Sequence, residues 1–254
     1  GHNLSKLHGE GYDFSELREY QVGDDIRKIN WTISAKLGLP YIKELHANRE
    51  LSVVVTAFMD ASLYFGSGNA KQKKLTEVAT ILGYAAQQNN DLFTGIQYTQ
   101  EQTYSTPPTK QLYHIEQFSQ TLFDASLLTT ALDHSAAIQD LFKRLHKPSL
   151  LFILSDFLEE MDLSLLSQKH EVIAVILRDR EEEVPKKLGE VTLSHPQDSK
   201  KMDTYFGQRS IEQYLAKLKE NDEKLSEHFA RYDIRSVKIF TDDEVVSKLV
   251  GLFV

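Results

Sequence analysis

Three short runs of this chain constrain its fold more than anything else in it: "LSVVVTAFMD" from Leu51, "SLLFILSD" from Ser149 and "HEVIAVILRD" from His170. Each is nearly continuous in apolar and β-branched residues, and each ends at an aspartate. A strand with one wet face would alternate apolar and polar residues; a run that does not alternate is buried on both faces. Between the runs the period changes. Leu75, Val78, Ala79, Leu82 and Ala85 recur on one face of a helix over about 71–88. Further helical segments are expected near 110–123, 134–146, 160–168, 209–231 and 243–253, with "DLFTGIQYT" and "IRSVKIFT" as strands and "TYSTPP" closing a hairpin on the first of them. The region between about 180 and 208 reads as irregular, and "REEEVPKK" within it as a solvated, charged turn.

This alternation predicts an α/β fold of the Rossmann type: a doubly wound, mostly parallel sheet with helices on both faces. Residues 51–254 form that domain. Residues 1–50 are polar and turn-rich and read as an N-terminal extension packing on it, with Asp13 and Glu16 spaced to cap a short helix over "FSELREY". Trp31 is expected to anchor the extension. In a doubly wound sheet, ligands bind beyond the carboxyl ends of the strands near the point where strand order reverses. Asp60 and Asp156, the aspartates closing two of the apolar runs, lie where that rule puts a site.

Composition narrows the classes. The 254 residues carry 29 Lys and Arg against 37 Asp and Glu, a formal charge of −8, so a nucleic-acid partner is not expected. With no cysteine, thiolate metal sites and cysteine nucleophiles are excluded, and a cytoplasmic location is the expectation. The apolar runs are far shorter than the roughly 20 residues of a membrane-spanning helix, and no signal-peptide pattern opens the chain. No Walker motif, no G-x-G-x-x-G after a strand and no G-x-S-x-G elbow occurs.

The run "GEGYDFSELREYQVGDDIRKINWTISAKLGLPYIKE", followed by an apolar strand and "MDAS", closely resembles a bacterial domain-of-unknown-function family, number fifty-eight, whose core is similar to a von Willebrand factor A domain. The likeness continues through "FGSGNAKQKKLTEVATILGYAAQQNNDLFTGIQYT", "SLLFILSDF" and "HEVIAVILRDREEEVP". Asn30 stands before Trp31 where the family usually has aspartate. The resemblance implies a non-catalytic protein-interaction module, an adaptor acting with a MoxR-type AAA+ ATPase in protein maturation or assembly. It also implies a magnesium-dependent adhesion site at the sheet's carboxyl edge.

Magnesium wants six oxygens in a tight octahedron. On the family pattern, Asp60, Ser62 and Asp156 match three ligands of such a site, and Ser135 stands nearest the place of a threonine, with Thr129 and Thr130 as alternatives. Tyr64 replaces the third loop oxygen, and the loop before "FGS" is two residues shorter than usual. The site therefore reads as degenerate, its magnesium weakly held or lost, and Tyr64 and Phe65 read instead as an aromatic contact for a partner. Asp24, Asp25 and Arg27 in "GDDIR" are further partner-binding candidates, against a plain Asp–Arg pair in a turn. The plain alternative for Asp60, Asp156 and Ser135 is capping of the helices that follow. The rival function is a metal-dependent hydrolase or phosphatase with Asp60 as nucleophile.

Overall fold

The computed structural model describes residues 13–46, 51–64, 70–127, 131–184, 189–194, 201–206 and 208–252. The chain divides into two compact units, Gly1–Glu50 and Leu51–Val254. In the first, strands β1 (Asp13–Glu19) and β2 (Tyr41–His46) pair antiparallel, with helix α1 (Trp31–Leu37) between them in sequence. The helix expected over "FSELREY" is therefore a strand. Seven residues cannot hold an isolated helix in water, whereas the ladder with β2 pairs their backbone groups. Asn30 caps α1 by accepting from the Ile33 amide at 3.2 Å, the role an aspartate would fill there. Gly38 ends the helix with φ of 76°, the left-handed cap that favours glycine. Trp31, the first residue of α1, is 69% exposed.

The second unit holds β3 (Ser52–Phe58), α2 (Ala70–Gln88), β4 (Leu92–Tyr98), β5 (Thr103–Ser105), α3 (Leu112–Asp124), α4 (His134–Arg144), β6 (Leu150–Ser155), α5 (Ser164–Ser167), β7 (Glu171–Arg178), α6 (Arg180–Glu183), β8 (Gly189–Ser194), β9 (Lys201–Phe206), α7 (Gln208–Arg231), β10 (Arg235–Phe240) and α8 (Val245–Val250). Its main sheet has the order β10-β7-β6-β3-β4-β5. Every neighbouring pair is parallel except the edge strand β5, which runs antiparallel to β4. The region read as irregular holds the β8–β9 hairpin, and the helix expected over 160–168 contracts to α5.

Alternation along β3 shows why both faces are covered. Val53, Val55 and Ala57 face a cluster built with Leu75 and Val78 of α2, Phe118 of α3 and Leu249 of α8. Val54 and Phe58 face a second cluster with Ile138 and Leu141 of α4 and Phe229 of α7. Successive strand residues point to opposite faces, so a strand apolar at nearly every position needs helices on both sides. The fold is doubly wound, as its strand patterns imply.

Strand order decides where a site can form. From β3 the chain builds outward through β4 and β5, then returns to place β6 on the other side of β3. The reversal point thus lies between β3 and β6. Asp60 follows the first of these strands and Asp156 the second.

Candidate functional site at the carboxyl edge of the sheet

Asp60 and Asp156 are 5% and 4% exposed and share a cleft of about 280 Å³ whose lining includes Ser62, His134, Glu159 and Lys217. Neither carboxylate is idle. Asp60 does not cap the short 3-10 turn that follows it, Ala61–Tyr64. Its Oδ1 accepts from the Leu132 amide at 2.7 Å, tying down the segment that leads into α4. Its Oδ2 lies 2.7 Å from His134 Nε2, a close contact off the direction of that nitrogen's N–H. His134 Nδ1 stands 3.7 Å from Glu159.

Burial opposes the charged imidazole, but Asp60, then Glu159 and Asp156, outweigh it and raise the His134 pKa above its ordinary value. The sign follows from linkage. A raised folded-state pKa contributes stability that is full below the unfolded value and is lost as pH rises through the folded one. In a proton-coupled NMR titration the His134 imidazole should show a midpoint above that of a free histidine, and Asp60→Asn should bring it down. An unchanged midpoint in the variant would remove Asp60 as the cause.

Asp156 is held from below. The Lys71 ammonium, on the first turn of α2 and fully buried, lies 2.9 Å from Asp156 Oδ2 and 2.6 Å from Glu182 Oε1. The other oxygen of Glu182 accepts from the Asp179 amide at 2.8 Å in a capping box that starts α6. Arg178, also fully buried at the end of β7, donates through Nη1 to the Asp156 carbonyl and through Nη2 to Asp222 of α7 at 2.7 Å. Asp222 in turn meets Lys238 of β10 at 2.8 Å. Burial works against ionisation of Asp156, yet the Lys71 charge, the Ser62 hydroxyl and Arg178 together hold its pKa below the ordinary carboxylate value.

The turn after Asp156 is itself unusual. Phe157 has φ of 49°, a left-handed conformation that a bulky side chain rarely adopts. Two contacts from α7 hold it there: Asn221 donates to its carbonyl at 2.8 Å, and Phe229 meets its ring edge to face at 5.8 Å between centroids. Strained backbone of this kind persists only where its surroundings over-determine it.

These contacts bring Asp60, Ser62 and Asp156 together and leave Ser135 out. Ser135 is exposed on the first turn of α4; Asp133, not Ser135, caps that helix by accepting from the Ala136 amide at 2.9 Å. The residue of α4 that enters the cleft is His134. Tyr64 is half-buried and packs against the core cluster under α2. Phe65, Thr129 and Thr130 lie outside the described residues. Asp24 accepts from the Gln21 amide, and Asp25 grips Arg27 in a two-pronged pair at 3.0 and 2.8 Å within the turn.

A magnesium held by Asp60, Ser62, Ser135 and Asp156 does not fit this donor set. Both Asp60 oxygens are engaged, an ammonium binds Asp156, and Ser135 is exposed and does not line the cleft. Among the described residues no three carboxylate or imidazole side chains are grouped to hold a metal ion.

Lys71, Glu182, Arg178 and His134 are the residues that reading the sequence for motifs misses. Two of them carry a signal. Lys71 shares a helical stripe with Leu75, Val78 and Leu82, and His134 with Ala137, Ile138 and Leu141, so each places a charged or polar group at a core position.

Residues 16–224 match the family described as protein of unknown function DUF58. The chain belongs to that family. The uncharacterized protein Rv1480 of Mycobacterium tuberculosis and the uncharacterized protein Mb1516 of Mycobacterium bovis are each 28% identical to it over 202 residues, covering 76% of this chain. The chain spans 63% of the length of these relatives. Two solved structures overlap it loosely. A conserved hypothetical protein BatB from Bacteroides thetaiotaomicron has a TM-score of 0.47 at 10% identity, covering 80% of this chain and 96% of that one. An aerotolerance-related membrane protein from Bacteroides fragilis has 0.44 at 11% identity, covering 79% and 96%. No helix among the described residues of this DUF58 chain is long and apolar enough to cross a membrane.

Proposed function

We propose that this DUF58 chain is a non-catalytic protein-interaction module, an adaptor for a MoxR-type AAA+ ATPase in the maturation or assembly of other proteins. In this reading the carboxyl edge of the sheet is its docking face. The observation that carries it is the commitment of both strand-end carboxylates. A phosphatase nucleophile needs a free oxygen poised at substrate, and Asp60 spends Oδ1 on the Leu132 amide and Oδ2 on His134. What remains is a small polar cleft with exposed Glu159 and Lys217 on its lining, a surface suited to charge-complementary recognition. The identity of the ATPase partner rests on the family resemblance.

The test is an affinity capture from the native organism, with recovered proteins identified by mass spectrometry. An AAA+ ATPase should be enriched, and the double change Glu159→Ala and Lys217→Ala should lower its recovery several-fold without lowering the melting temperature. Equal recovery with both forms would move the docking face elsewhere. A generic phosphate monoester should turn over no faster with wild type than with Asp60→Ala; turnover abolished by that change would make the protein a hydrolase.

A further inference from the structure

We propose that the Lys71 ammonium is the resident cation of this site, standing between Asp156 and Glu182 in the part a divalent metal would play, so that the cleft is built and held without one. The inference deepens the docking function proposed above, but it concerns only how the cleft is held together.

Its basis is geometric. Lys71 is wholly buried, and an ammonium without partners in that position would be prohibitively costly. It has two carboxylates, at 2.9 and 2.6 Å, the separations of charge-assisted N–H···O bonds. Magnesium would need six oxygens at about 2.0–2.1 Å in near-octahedral array. Glu182 is not free to rearrange around an ion, because its second oxygen is bound to the Asp179 amide. Asp156 is flanked on its backbone side by a second fixed cation, Arg178, which donates to its carbonyl and bonds to Asp222. On the cleft side, Asp60 already faces His134. A divalent ion arriving here would have to displace a covalently tethered charge while sitting close to the Arg178 guanidinium.

The whole chain, stripped with a chelator, is the material for the test. Titrated with magnesium and separately with manganese in a calorimeter, it should give no saturable heat, and its melting temperature should be the same with chelator, magnesium or manganese. Saturable binding of either ion that Asp156→Ala abolishes would overturn the proposal. A second measurement needs no change at Lys71. A proton–nitrogen correlation spectrum of protein labelled on lysine nitrogens should show one slowly exchanging side-chain ammonium, moved by Glu182→Gln and left in place by magnesium. A spectrum without that signal, or one in which magnesium displaces it, would equally overturn it. Failure to recover an ATPase would sink the adaptor function and leave both of these results standing, so the two failures are distinguishable.

Discussion

Lys71→Met should cost about 3–5 kcal/mol of folding stability, the range for breaking a buried ion pair by removing one partner. Methionine keeps most of the lysine stem's volume, so the loss would not come from a cavity. It would come from Asp156 and Glu182, 4% and 2% exposed, left facing each other without the ammonium that now sits 2.9 and 2.6 Å from them. A urea midpoint measured at neutral pH checks it. The companion experiment separates charge from packing: adding Asp156→Asn and Glu182→Gln to Lys71→Met makes the group electrically neutral and should return a substantial part of the lost stability. Buried ion pairs are often nearly neutral in net stability against uncharged replacements while being expensive to break on one side. A single variant as stable as wild type would mean that Lys71 is not held by these carboxylates in solution.

Gly95→Ala should be the second severe substitution, at about 1–3 kcal/mol or more, for an unrelated reason. Gly95 lies in the middle of β4, opposite Val55 of β3, with its amide bound to the Thr106 hydroxyl and its carbonyl to the Thr106 amide. A methyl group there would stand 2.5 Å from two ring atoms of Phe118 and 2.8 Å from a third. The ring cannot easily retreat, since Phe93 and Tyr104 pack on it with centroids 5.9 and 6.4 Å away. Phe118→Leu in the same chain should relieve part of the clash, so the double variant should be more stable than the sum of the single losses predicts; strict additivity would show that the glycine is not there for close approach. Gly95 is the glycine of the strand "DLFTGIQYT". It clears a seat for an aromatic ring of α3.

Much of the fold was legible because its signals are local. Uninterrupted apolar runs marked β3, β6 and β7, and a stripe of period 3.6 marked α2. The first unit misled because the capping spacing of Asp13 and Glu16 is also a local signal, and the pairing of β1 with β2 overrode it. "REEE" misled in the opposite direction. Four charged residues in a row read as solvated, yet Glu182 among them is 2% exposed because it folds back to reach Lys71. For the site, the strand-end position singled out Asp60 and Asp156, but it carried no information on what their oxygens touch. Ser135 and His134 are adjacent in sequence, and the helix phase alone decides which of them enters the cleft.

The sequence by itself determined that the chain makes a sheet buried on both faces, and that two of its apolar strands end at aspartates. Periodicity and the placement of breakers are properties of neighbouring residues, and they survive without knowledge of contacts. The tertiary structure alone decided what those aspartates meet, the His134 imidazole at Asp60 and the Lys71 ammonium at Asp156. Lys71 is 85 residues from Asp156 and 111 from Glu182 along the chain, and no local pattern encodes a pairing at that distance. Only when α2, β6 and α6 converge on one edge of the sheet does a lysine on an apolar helix stripe become the counter-charge of a candidate binding site.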